Sequence, residues 1–301
     1  MADTIAAAES EQAPPSIFNA HRKTQALVLT GSVLSALACF SVTSLMHLPQ
    51  EPRFQGSLFQ QNSWVLGYIA ICILLAASAG IGTVIAGQWW LFSGLFTACV
   101  GLAAISTQFG PLHYVIFDAL TRNREHTVFL RLALEHCILM IPLVLLWLYF
   151  WERFTENQSS EQDGKSDGSA DLYAVAVQVI VMGILVSLLV ASDEKQQALV
   201  GVFVAGAASA ALAESISPTR NAPRWYWLGT LIVGLVGYLL ADLHPDQWAT
   251  GFCDGAIANL AHAMPLDLAS SGLAGTLIGY WAAVERPHVP FRGKSGPDKL
   301  A

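Results

Sequence analysis

The sequence predicts an all-α, polytopic membrane bundle of about eight transmembrane helices. Three observations carry that expectation. The chain has 301 residues, of which 54% are hydrophobic and only 12% are charged, about half the charged fraction of an ordinary soluble domain. Its mean hydropathy is +0.49. The apolar residues also fall into separate runs close to the roughly 20 residues that a helix needs to cross the hydrocarbon core.

The first 24 residues are polar and partly acidic, with Ala, Glu, Gln and Pro. They lack the basic start and directly following apolar stretch of a secretory signal peptide, and read as a disordered cytoplasmic tail. Seven apolar runs follow, near 25–46, 64–86, 89–109, 131–151, 172–191, 197–213 and 226–241. An eighth, near 268–284, is rich in Gly, Ala and Ser but carries Leu273, Leu277, Ile278, Tyr280 and Trp281. Residues 246–264 are short and broken by glycine, which suggests an interfacial or re-entrant helix ending before Pro265.

Residues 152–171 are rich in Ser, Gly and Asp without hydrophobic periodicity, the composition of a flexible linker. This segment divides the spans into a first half, 25–151, and a second half, 172–285, followed by a basic tail, 286–301. With the N-terminus inside and eight crossings, ten of the fifteen Lys and Arg residues fall on the inner side. The positive-inside rule then places both termini and the linker in the cytoplasm of a cell-membrane protein. Trp147, Trp151, Trp225 and Trp227 fall at the expected inner boundary and Trp64 at the outer one, where interfacial anchors belong.

Lipid gives apolar helices no hydrophobic reason to associate, so close packing must hold them together. Gly201, Ala205, Ser209 and Ala213 recur every four residues, as do Ser271, Gly275, Gly279 and Ala283. Each row predicts a helix face that another backbone approaches closely. Asp193 with Gln196 three positions later suggests a capping-box variant in a short external turn, and in that turn Lys195 needs no further role.

Most histidines gather on the expected outer side: His47, His113, His126, His136, His244 and His262, together with Asp118, Glu125, Glu135, Asp242, Asp246, Asp254 and Asp267. Arg131 and Glu135 are four apart and share a helix face. Glu135 falls about one turn inside the boundary, where an ionisable side chain faces the bundle and has a partner. Two readings follow. An Arg131–Glu135 pair sets the depth of the helix, with Arg131 reaching outward to water. Alternatively, Arg131, Glu135, His136, Asp254 and His262 line a proton, ion or substrate vestibule. Asp242, His244 and Asp246 would project to one side of an extended segment and form a weak oxygen and nitrogen ligand set for a divalent metal.

The net charge of -7 offers no nucleic-acid-binding face. The chain contains no phosphate-binding loop, no GxSxG and no HExxH. Only His136 falls within an expected span, which disfavours a haem pair. No cofactor is assigned. The leading expectation is a small-molecule or ion transporter or permease-like protein. A membrane enzyme with an outer-face site and a non-catalytic packing subunit among other membrane subunits are the alternatives. The lipid bilayer is the one partner the composition requires.

Overall fold

The computed structural model describes residues 17–46, 57–60, 64–87, 90, 92–119, 127–158, 168–192, 194–218, 221–244 and 259–284. Among these the chain is mostly helical, without strands. The helices are α1 (Ile17–Met46), α2 (Trp64–Ala86), α3 (Ser93–Ser106), α4 (Leu112–Asp118), α5 (Val128–Gln158), α6 (Gly168–Leu189), α7 (Lys195–Ile216), α8 (Trp227–Asp242) and α9 (Leu273–Val284). A 3-10 turn at Leu58–Gln60 precedes α2, and another at Ala222–Trp225 leads into α8. A short turn at Pro265–Asp267 and a π-turn at Leu268–Gly272 lead into α9.

Six of these segments are long and apolar enough to cross a membrane: Lys23–Ser41, Trp64–Ala86, Val128–Thr155, Ser169–Leu189, Lys195–Ile216 and Ala222–Asp242. At 14 residues, α3 is about 21 Å long, short of the roughly 30 Å hydrocarbon thickness. The eighth expected span is helical too, but the π-turn interrupts it. Burial runs opposite to that of a soluble protein. Leu29, Leu37, Leu66, Ile73, Val84, Leu145, Ile180 and Leu188 face outward, while Glu135, His136, Gln178, Asp267 and Thr276 are buried. An outer face of Leu, Ile and Val is what lipid solvates, so the chain is a multi-pass, all-helical membrane protein.

Several boundaries differ from the sequence reading. Helix α1 begins eight positions earlier than expected, at Ile17. Helix α5 continues to Gln158 and α6 begins at Gly168, so both ends of the expected linker are helical. Residues 159–167 lie outside the described residues, as do Asp193, the tail 286–301 and most of the proposed re-entrant segment. Glu194, rather than Asp193, holds the N-cap position of α7.

Small residues bring the helices together. A Cβ on Gly275 would lie 2.1 Å from the Phe203 carbonyl oxygen, and one on Gly279 would lie 2.0 Å from that of Ala207. The expected row on α9 is therefore an interface, and its partner is α7. The α7 face that meets it presents Phe203, Gly206 and Ala207. Gly201 instead meets Val190 and the Leu189 carbonyl. In the first half, a Cβ on Gly101 would meet Ser35 Oγ at 2.5 Å and Ser78 Oγ at 2.9 Å, which holds α1, α2 and α3 as a tight trio. Helix α5 packs most extensively on α8. Pro142 has no N–H for the Ile138 carbonyl four residues earlier. The Tyr68 hydroxyl of α2 donates to that carbonyl at 3.2 Å, satisfying a backbone group that lipid could not.

The alternation of helix directions sorts side chains to two ends. One end gathers aromatic rings: Trp90 stacks on Trp281 at 4.6 Å, and Phe92 meets Trp147, Trp151, Phe154 and Tyr280. Trp147 and Trp151 are thus buried inside the bundle and are not the interfacial anchors expected for them. Trp225, at that end, and Trp64, at the other, are exposed. The end containing Trp64 holds the buried charges.

Candidate functional site

Glu135 lies two turns into α5 and is 2% exposed. Its position follows from its helix face: Leu132, Ala133, His136 and Leu139 around it are buried, whereas Arg131 and Leu134 are exposed. The carboxylate closes the 3-10 turn before α2. It accepts hydrogen bonds from the Ser57 hydroxyl, from the Leu58 amide at 3.1 Å and from the Phe59 amide at 3.3 Å. These amides are orphan donors at the start of a helical turn, and a carboxylate is their natural acceptor. Lys195 lines the same small cavity as Glu135.

Lys195 is the first residue of α7. Its ammonium turns inward and lies 2.8 Å from Asp267 Oδ1, with the lysine side chain 13% exposed and the aspartate fully buried. The Asp267 carboxylate also accepts the Ser106 hydroxyl, from the last residue of α3, and the Met264 amide at 3.1 Å. The second of these bonds closes a capping box that starts the last helical segment. Two carboxylates and one ammonium, held by α3, α5, α7 and the turns before α2 and α9, therefore form one buried cluster. With all three ionised it carries one excess negative charge.

A small, partly open cavity of about 10 Å³ lies against this cluster, lined by Leu58, Ile71, Phe109, Glu135, Lys195, Met264 and Leu266. That is room for about one water molecule. Stripping water from charges costs several kcal/mol per ion unless pairing and hydrogen bonds replace it. Here each carboxylate has at least two donors and the ammonium has a carboxylate at contact distance.

His136 points away from Glu135, towards α8. Its Nδ1 lies 3.4 Å from the Pro265 carbonyl and its Nε2 lies 3.2 Å from the Thr230 carbonyl. The ring fits because position 234 is glycine; a Cβ there would lie 2.6 Å from Nε2. Tyr238 packs edge-on at 6.2 Å and donates its hydroxyl to the Ala263 carbonyl at 2.6 Å.

The other expected site residues fall as follows. Arg131 is exposed, one turn before the buried carboxylate on α5. His262 is buried in the turn before Met264. Asp242 ends α8 and the next residue keeps helical angles, so this part of the chain is not the extended strand on which the metal arrangement with His244 and Asp246 rested. His244 is exposed, with Nδ1 3.0 Å from the Leu240 carbonyl at the helix end. Asp246 and Asp254 lie outside the described residues. Among the described residues no group of three or more His, Cys, Asp or Glu side chains is placed to hold one metal ion.

Sequence reasoning passed over Lys195, Ser57 and Ser106 as site residues, and counted Asp267 only among the outer acids. One signal was available. Lys195 and Asp267 each open an apolar run, Asp267 two residues after Pro265, and a charge in the first turn of a span lies at bundle depth once the helices pack. No known protein family, curated protein or solved structure matches the chain.

Proposed function

We propose that the protein is a transporter or permease-like protein of the cell membrane that binds an ion or small solute at the Glu135–Lys195–Asp267 cluster. Both termini are cytoplasmic in this reading, the chain crosses eight times, and the cluster lies at the outer end beneath a vestibule that includes Arg131, His136 and His262. The observation that supports it best is the small cavity walled by Glu135 and Lys195 with Asp267 on the same ammonium. Buried ionisable groups within membrane spans mark ion and substrate paths, because a bundle has little other reason to bear their desolvation. The cluster is assembled from both halves of the chain, so movement of one half against the other would open it, as alternating access requires.

The bonds that complete each carboxylate favour a second reading, a static clasp in a packing subunit. Electrometry on proteoliposomes of the full chain separates the two. Currents on jumps of pH, Na+ or K+ that vanish in Glu135→Gln support transport. Silent wild-type protein, with Glu135→Gln altering only the melting temperature, supports the clasp.

A further inference from the structure

The buried face of α8 and of the residue before it carries a polar or glycine rung at every turn, and the proposed ion site uses none of it. Tyr226, Gly229, Thr230, Gly234, Gly237 and Tyr238 are all buried. From Tyr226 to Tyr238 this face runs about 18 Å along the helix. At the outer end the Tyr238 hydroxyl and ring lie beside Ala263 and His136, within the electrostatic reach of Glu135 and Asp267. At the opposite end the Tyr226 hydroxyl donates to Glu214 at 3.1 Å, with Asp171 and Tyr280 near it.

Between these ends lie two fully buried oxygens without a hydrogen-bond partner, Thr230 Oγ1 and Gln178 Oε1. Gln178 comes from α6 and lays its amide directly on Gly229, where a Cβ would fall 2.3 Å from both the nitrogen and the oxygen. An unpaired polar group buried in this way destabilises the fold, and apolar side chains of similar size would avoid that cost. His136 adds a third anomaly. Both ring nitrogens face carbonyl oxygens. A neutral imidazole can donate to one of them, and a protonated imidazole to both. The site therefore supplies a second acceptor that only the protonated ring can use.

We propose that this face is a proton route and that the ion moved by the protein is H+. The inference rests on the transport reading above and deepens it. A proton taken from outer water by the Glu135 carboxylate passes by way of the Tyr238 and His136 region, then Thr230 and Gln178 with transient water on their open oxygens, to the Glu214 carboxylate, which releases it to the inner water. One proton enters and one leaves, and each group returns to its starting state. The Lys195 ammonium beside Glu135 disfavours Na+ or K+ at the entrance, and a cavity with room for one water leaves no space for a metal ion with its oxygen shell.

The test uses purified full-length protein in liposomes with a trapped pH-sensitive dye, under an imposed potassium-valinomycin potential. The wild type should acidify the lumen. Thr230→Val combined with Gln178→Leu should slow this by roughly a hundredfold, the low end of what positioned proton-transfer groups contribute. The same double variant should melt at or above the wild-type temperature, because it removes unpaired buried oxygens; a purely structural role for these groups would lower it. Thr230→Val alone, close to isosteric, gives the same comparison if the double variant does not fold, and Thr230→Ser should restore flux. Double-variant flux at the wild-type rate, with Glu135→Gln inactive, overturns the route and leaves the Glu135 site standing. A wild type that moves Na+ or K+ but not protons also overturns the route alone. A wild type that moves no ion overturns both.

Discussion

The Lys195 ammonium lies 2.8 Å from the Asp267 carboxylate, tying the first residue of α7 to the turn that begins the last helical segment. The two residues sit at the same end of the small-residue interface between α7 and α9, so the ion pair fixes the register in which Gly275 and Gly279 meet Phe203 and Ala207. Removing one member leaves the other buried and uncompensated, which typically costs about 3–5 kcal/mol. Lys195→Met should therefore lower the melting temperature in detergent sharply. Lys195→Met with Asp267→Asn should recover part of the loss, since the amide oxygen can still accept from the Met264 amide while the NH2 group donates to the Ser106 hydroxyl oxygen. A single Lys195→Met variant as stable as wild type would show that the pair contributes nothing.

Glu135→Gln makes a gentler change. An amide oxygen can keep one or two of the three donors from Ser57, Leu58 and Phe59, so the loss should be about 1–2 kcal/mol. Its local effect should be larger than its global one. Hydrogen–deuterium exchange at Leu58 and Phe59 should accelerate markedly while α5 stays protected. Unchanged protection of the turn before α2 would mean that the carboxylate does not hold it.

Close packing predicts opposite outcomes for two glycines. Gly279→Ala places a methyl 2.0 Å from the Ala207 carbonyl oxygen, so α7 and α9 must separate. At Gly80 a Cβ meets nothing within 4 Å. Gly80→Ala should be neutral or stabilising by up to about 1 kcal/mol through helix propensity, whereas Gly279→Ala should lower the yield of folded protein. Equal melting temperatures for the two variants would contradict the α7–α9 interface.

Threading is open to direct measurement on intact cells. In a Cys-free background, Ser159→Cys and Ser295→Cys should both resist an impermeant thiol reagent, as the positive-inside distribution requires. Labelling of Ser295→Cys alone would mean that the segment from Pro265 to Val284 does not cross.

Helices announce themselves in this sequence because lipid demands long apolar runs, and a run such as 64–86 leaves no competing interpretation. The α9 face of Gly275 and Gly279 was legible for the same kind of reason: small residues at four-residue spacing have one effective use between helices. Its partner face on α7 was not, because Gly201, Ala205 and Ser209 are as small as Gly206 and Ala207, and only the crossing geometry selects between them. Glu135 was visible as a carboxylate inside an apolar run. Its partners were not, since a turn 77 positions away donates the Leu58 amide, and backbone amides carry no sequence signal. Local pattern pointed to Arg131 one turn away, while the fold turned Glu135 inward and left Arg131 on the surface.

The π-turn at Leu268–Gly272 has a consequence for how this architecture tolerates change in length. A π-turn is an α-helix carrying one surplus residue. Deleting one of Ala269, Ser270 or Ser271 would let the turn revert to ordinary helix, and α9 would keep its seat on α7. Everything upstream would swing by about 100° and draw in by about 1.5 Å. Asp267 would then leave Lys195, and the Pro265 carbonyl would leave His136, in a single step. The extra residue acts as a phase shifter: it lets one continuous segment serve two masters, the glycine seam that wants one rotation and the charge cluster that wants another.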